Sequence, residues 1–131
     1  IHQKVQKTNS MKDKLTLVLG ASENPDRYAN IAVKRLQNYD FSVIAVGYKE
    51  GSINGIKIQK EFPSNEDIDT VTLYLSKKNQ IQYYDDIVNL KPKRVIFNPG
   101  TANQEFEDYL TKSGIEVVDA CTLVMLSTGE Y

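Results

Sequence analysis

Gly20-Ala21-Ser22 is the segment of this chain best suited to hold an anion. It follows the run Leu15-Thr16-Leu17-Val18-Leu19 and leads through Glu23-Asn24-Pro25-Asp26-Arg27 into a helical pattern. A strand that passes through a tight small-residue turn into a helix N-terminus gathers unpaired backbone N–H groups at one spot. The positive end of the helix dipole points there too, which makes the spot a seat for phosphate. Arg27 adds a planar guanidinium able to make a bidentate phosphate contact. A second cation, Lys49, follows the next apolar strand, in Val46-Gly47-Tyr48-Lys49.

The other chemistry-bearing residues offer less. The acid pairs Asp85-Asp86 and Glu66-Asp67 are sequence neighbours, and neighbours on a helix do not face each other, so they make poor catalytic dyads and are expected on solvated faces. Cys121 is the single cysteine and stands beside the apolar run Leu123-Val124-Met125-Leu126, where a free thiol is expected to pack as a small buried hydrophobe. The single histidine, His2, lies in the polar stretch Ile1–Ser10 that precedes Met11. Met11 is expected to be the natural start, with residues 1–10 a tag remnant or frayed leader and residues 11–131 one domain. A histidine base is therefore not expected, and no metal-ligand spacing is present.

The elements that must position the turn alternate along the chain. Strands are expected at Leu15–Leu19, Phe41–Val46, Thr70–Leu75, Arg94–Phe97 and Ile115–Val118, with Ile56-Lys57-Ile58 a short edge strand after the Asn54-Gly55 turn. Helices are expected at Tyr28–Tyr39, with Asp26 capping its start, and at Gln80–Leu90, with Ile81, Tyr84, Ile87 and Val88 on one face. A further helix at Asn103–Lys112 turns Phe106, Tyr109 and Leu110 inward and stops at Ser113-Gly114. Short helices are expected at Glu66–Ile68, after the Pro63-Ser64-Asn65 break, and over Cys121–Leu126. Alternation of this kind implies an α/β fold: a Rossmann-like, doubly wound parallel sheet in three α/β/α layers. Ligands bind such sheets beyond the carboxyl ends of the strands, where strand order reverses. The turns Gly20–Arg27, Gly47–Glu50, Ser76-Lys77 and Asn98–Thr101 should therefore share one rim, with Tyr74 close by.

Composition narrows the classes of ligand. The chain has 131 residues, 40% hydrophobic and 25% charged, enough for one domain with a core. With 16 basic and 17 acidic residues the net charge is −1, which leaves no footprint for nucleic acid and no basic membrane patch. No apolar run reaches the roughly 20 residues that span a bilayer. With one cysteine and no visible signal peptide, a cytoplasmic protein is expected. A dinucleotide fold wants G-x-G-x-x-G in the first turn and an acid near the end of the second strand. This chain has Gly20-Ala21-Ser22 and Lys49 instead, and lysine suits a phosphorylated ribose. NADP and coenzyme A both meet that description.

Taken together, Gly20-Ala21-Ser22, Asn24-Pro25-Asp26-Arg27, Gly47 with Lys49, Asn54-Gly55, Asn98-Pro99-Gly100, and Gly114-Ile115-Glu116-Val117-Val118 with Cys121 resemble the small single-domain CoA-binding proteins. These are similar to the N-terminal domain of the succinyl-CoA synthetase alpha chain. The resemblance runs from Leu15 to the C-terminus and implies coenzyme A, or an acyl-CoA, as ligand. It implies that Gly20, Ala21 and Ser22, with Asn24, Pro25 and Arg27 behind them, hold the pyrophosphate. Val46, Gly47, Tyr48 and Lys49 would face the adenosine and its phosphate. Leu75 and Ser76, with Asn98, Pro99 and Gly100, would line the pantetheine channel. Members often carry a V-x-P segment where this chain reads Val46-Gly47-Tyr48. The synthetase's phosphorylated histidine sits on a domain this chain lacks, so ligase activity does not carry over. The expectation is a binding protein without catalytic activity, for which a homodimer is allowed. Its rivals are an NADP-dependent oxidoreductase and a nucleotide-responsive regulatory module.

Overall fold

The computed structural model describes residues 14–131, so the expected leader, its histidine and Met11 lie outside the described residues. The described residues form one seven-stranded sheet. Its strands are β1 (Thr16–Leu19), β2 (Val43–Val46), β3 (Gly51–Ile53), β4 (Ile56–Gln59), β5 (Thr70–Leu73), β6 (Arg94–Phe97) and β7 (Glu116–Asp119). They lie in the order β3-β4-β2-β1-β5-β6-β7. All neighbours are parallel except β3 and β4, which form an antiparallel hairpin through the Asn54-Gly55 turn. The chain leaves β1 in one direction and later returns to its other side, so strand order reverses between β1 and β5. This is a Rossmann-like α/β fold.

The helices are α1 (Tyr28–Asn38), α2 (Lys77–Gln80), α3 (Tyr84–Leu90), α4 (Gln104–Lys112) and α5 (Thr122–Thr128), with a 3₁₀ turn at Ile81–Tyr83 joining α2 to α3. Strands buried on both faces read as continuous apolar runs, and alternate side chains feed opposite cores. Leu17 and Leu19 of β1 join Val71, Leu73, Val95 and Phe97 in a core closed by Ile87 of α3 and by Phe106 and Leu110 of α4. Val18 joins Ala45, Ile58 and Ile96 in the opposite core, closed by Ala29, Val33 and Leu36 of α1 and by Leu126 of α5. Helices thus cover both faces, giving three layers. Tyr131 seals the end of the sheet away from the strand-end turns: its ring lies 4.5 Å under the Arg94 guanidinium and 4.9 Å from the Phe41 ring.

Several local expectations change. The segment Glu66–Ile68 is not helical; Ile68 is buried as a connector side chain in the core formed by Leu17, Val71 and Ile87. The stretch Gln80–Leu90 is not one helix but α2, the 3₁₀ turn and α3, which turns Ile81 outward to 58% exposure. Tyr109 also faces solvent, donating its hydroxyl to the Asp85 carboxylate at 2.9 Å rather than entering the core. The strand Ile56–Gln59 is not the edge, because Gly51–Ile53 pairs outside it. Asp26 does not cap α1: the cap position is Arg27, with no side-chain cap bond. Among the described residues no helix is long and apolar enough to cross a membrane.

Candidate functional site

The loops that leave β1, β2, β5 and β6 meet over the point where strand order reverses, around a cavity of about 810 Å³. That volume lies within the range of about 300–1,000 Å³ usual for small-molecule sites. Gly20, Ser22 and Arg27 come from the loop after β1, Gly47 and Tyr48 from that after β2, and Leu75 and Ser76 from that after β5. Pro99, Gly100 and Thr101 come from the loop after β6.

The β1 turn is built for close approach. The Gly20 and Ala21 N–H groups both donate to the Val46 carbonyl, at 2.9 and 3.0 Å, which pins the turn to the end of β2. Gly20 has φ +101°, and a Cβ there would lie 2.9 Å from the Tyr74 carbonyl oxygen. At Gly47 a Cβ would collide with the Ala21 carbonyl oxygen. Beyond the turn, the Asn24 side-chain oxygen accepts from the Asp26 N–H at 2.9 Å and its carbonyl accepts from the Arg27 N–H. The buried Asn30 amide of α1 donates to the Ser22 carbonyl at 2.9 Å. These bonds fix the path of the loop. Even so, the N–H groups of Ser22, Glu23, Tyr28 and Ala29 have no hydrogen-bond partner among the described residues. Those of Tyr28 and Ala29 are the orphan donors of the α1 N-terminus, and those of Ser22 and Glu23 belong to the turn before it. Arg27, the one cation among the lining residues, makes no ion pair or side-chain hydrogen bond among the described residues. Asp26 also lines the rim beside it.

The far wall rests on a buried polar network. Gln80, wholly buried at the end of α2, donates to the Leu75 carbonyl at 2.9 Å and to the Thr101 carbonyl at 2.8 Å. Its side-chain oxygen accepts from the Asn103 amide, which donates also to the Tyr84 hydroxyl. Asn103 in turn caps α4 through the Phe106 N–H. Asn98 is a second keystone: its amide donates to the Thr72 hydroxyl and the Leu73 carbonyl, and its oxygen accepts from the Thr122 N–H. The Tyr74 hydroxyl is buried beside the Thr72 and Thr122 hydroxyls without a well-formed bond to either, and burial pushes it up to about 12. Burial first, and then the Asp86 carboxylate, raises Tyr83 as well.

Of the residues singled out in the sequence, the cavity brings together Gly20, Ser22, Arg27, Gly47, Tyr48, Leu75, Ser76, Pro99 and Gly100. Ala21, Val46 and Asn98 are buried behind its wall. Asn24, Pro25 and Lys49 are exposed and do not line it. Thr101, from the turn expected on the rim, and Tyr74, expected close by, line it too, whereas Tyr28, Ala29, Asn79, Gln82 and Tyr83 are lining residues the sequence does not single out. The helical pattern did place Tyr28 at the first position of α1, but Asn79, Gln82 and Tyr83 depend on the broken path of α2 and the 3₁₀ turn. Cys121 is half-buried rather than a core residue, and it lines a second, smaller cleft beside Pro99-Gly100.

Comparison with known proteins agrees with this fold. A structure of a protein described only as uncharacterized is 50% identical, covers 91% of this chain and 98% of its own, and superposes with a TM-score of 0.89. A hypothetical protein from Pyrococcus horikoshii is 25% identical, with 98% and 91% covered and a TM-score of 0.80. A conserved hypothetical protein from Pyrococcus furiosus is 32% identical, with 81% and 91% covered and a TM-score of 0.69. No curated protein matches the chain. The model of the CoA binding domain family matches residues 14–127, nearly the whole described chain, and the protein belongs to that family.

Proposed function

We propose that the cavity binds coenzyme A or an acyl-CoA without covalent attachment or turnover. The observation that carries this is the β1 turn: the free N–H groups of Ser22, Tyr28 and Ala29 and an unpaired Arg27 belong to residues lining one cavity, over a floor where Gly20 and Gly47 let the ends of β1, β2 and β5 pack backbone against backbone. A pyrophosphate there would take the α1 N-terminal donors and the guanidinium. Tyr48, 85% exposed at the end of β2, offers its ring to the adenine, and Lys49 next to it can reach a ribose phosphate beyond the cavity mouth. The pantetheine arm would lie between Leu75-Ser76 and Pro99-Gly100. The proposal that there is no turnover is supported by the side chains lining the cavity: none is a histidine or cysteine, and burial moves Tyr74 and Tyr83, two of its four tyrosines, further from the range in which a phenol could act as a base.

Calorimetry and thermal melting test this. Coenzyme A should titrate with one site per chain and raise Tm, because a ligand that binds only the native state must stabilise it. Dephospho-coenzyme A should bind more weakly, NADPH should not stabilise, and an acyl-CoA incubated with the protein should keep its thioester. No stabilisation at millimolar coenzyme A would overturn the proposal.

A further inference from the structure

The turn Pro99-Gly100 is a wall shared by two depressions. One side lines the large cavity; the other lines a cleft of about 280 Å³ together with Phe97, Ala102, Ala120 and Cys121. The ridge between them is low. Gly100 has φ +90°, and a Cβ built on it meets nothing within 4 Å, so nothing stands on top of the turn. Gly100 is the residue that bends the loop back, and the Thr101 side chain holds it by donating to the Asn98 carbonyl at 2.7 Å. The cleft lies below the usual size of a cofactor site, at the scale of a small apolar fragment. Its wall is mainly aromatic, proline, alanine and thiol carbon or sulfur. Its one charged lining residue is Asp119, which stands beside Glu107 of α4.

We infer that this cleft is a subsite for the acyl group of a short, uncharged acyl-CoA whose nucleotide lies in the large cavity and whose arm crosses the Pro99-Gly100 ridge. The inference rests on the coenzyme A reading above and deepens it. The apolar wall rewards burial of an alkyl chain, and the limited volume sets a short one. The Asp119 and Glu107 carboxylates repel an acyl group that ends in a carboxylate, so a dicarboxylic thioester is disfavoured. The thiol of Cys121 acts here as apolar lining. No bond to it is invoked.

The test compares coenzyme A, butyryl-CoA and succinyl-CoA by calorimetry on the full chain. Butyryl-CoA should bind about tenfold tighter than coenzyme A, the gain expected from burying about two methylenes. Succinyl-CoA should show no such gain. Ala120→Leu and Ala102→Phe fill the cleft from positions outside the large cavity, and Ala102 is exposed, so the fold tolerates the change. Both variants should bring butyryl-CoA down to the level of coenzyme A while coenzyme A itself binds as before. Equal binding of the three ligands, or an acyl preference that survives both variants, would overturn the inference while leaving coenzyme A binding intact. Loss of coenzyme A binding in the unaltered protein would instead remove the reading on which it rests.

Discussion

Arg27 lines the cavity without using its charge for folding, since it makes no ion pair or side-chain hydrogen bond among the described residues. Arg27→Ala should therefore leave the urea midpoint unchanged and weaken coenzyme A binding about tenfold or more, the scale of a lost hydrogen bond to a charged group. The remaining affinity should also depend less steeply on salt. Gly20 is the opposite case, a residue whose contribution is to the backbone. With φ +101° and only 2.9 Å between a new Cβ and the Tyr74 carbonyl oxygen, Gly20→Ala should destabilise the fold by about 1–3 kcal/mol, measured by urea unfolding. Both residues stand out in the sequence because a glycine straight after an apolar strand and an arginine at the following helix start form a local pattern, although the partners that use them lie far along the chain. Lys49 shows the limit: its spacing after β2 is legible, but the exposed turn that carries it outside the cavity is not.

At the scale of elements, the central strands β1, β5 and β6 are more legible than the helices because each is a short run buried on both faces. Helix starts and breaks depend on tertiary partners. Gln80 looked like the beginning of one long helix, yet it is the buried end of α2, where its amide satisfies the carbonyls of Leu75 and Thr101. Those bonds hold two rim loops at a fixed separation and oblige the chain to turn before α3, leaving Ile81 in solvent. No local pattern around Gln80 announces partners that lie 21 residues away. Gln80→Ala should strand both carbonyls and cost about 2 kcal/mol or more in urea unfolding. It should also weaken coenzyme A binding, whereas Asn79→Ala, at an exposed position, should leave stability nearly unchanged. The strand Gly51–Ile53 escaped the sequence for a related reason. A three-residue edge with one buried side chain, Ile53, has too little pattern to read.

At the scale of the whole molecule, the ionisable groups among the described residues that matter for stability are buried phenols rather than ion pairs. The Lys93–Asp69 pair, at 3.8 Å with its lysine 84% exposed, contributes little, and Lys93→Ala should shift stability by less than about 0.5 kcal/mol. Tyr74, raised to about 12 by burial, and Tyr131, raised by burial against the opposing pull of the Thr16 hydroxyl and Arg94, behave differently. Unfolding exposes them as ordinary phenols that ionise near pH 10. Below that pH both states hold the protons and stability is flat on their account. As the pH rises from about 10 towards 12 the unfolded chain loses protons first, so stability falls. Urea midpoints measured across that window should decline, and less steeply in Tyr74→Phe.

The Glu23 side chain spans two parts of the molecule. Its carboxylate leaves the β1 turn and accepts the Ser52 N–H of the edge hairpin at 2.9 Å, and Gly51 beside it has no side chain to hinder the approach. The last strand of the sheet is thus tethered to the loop proposed to grip phosphate. The Ser52 amide acts as a gauge of that loop: each opening of the turn exposes it to solvent, and whatever clamps the turn slows its exchange. In a hydrogen-exchange record, a ligand at the centre of the sheet would be announced at its outermost strand.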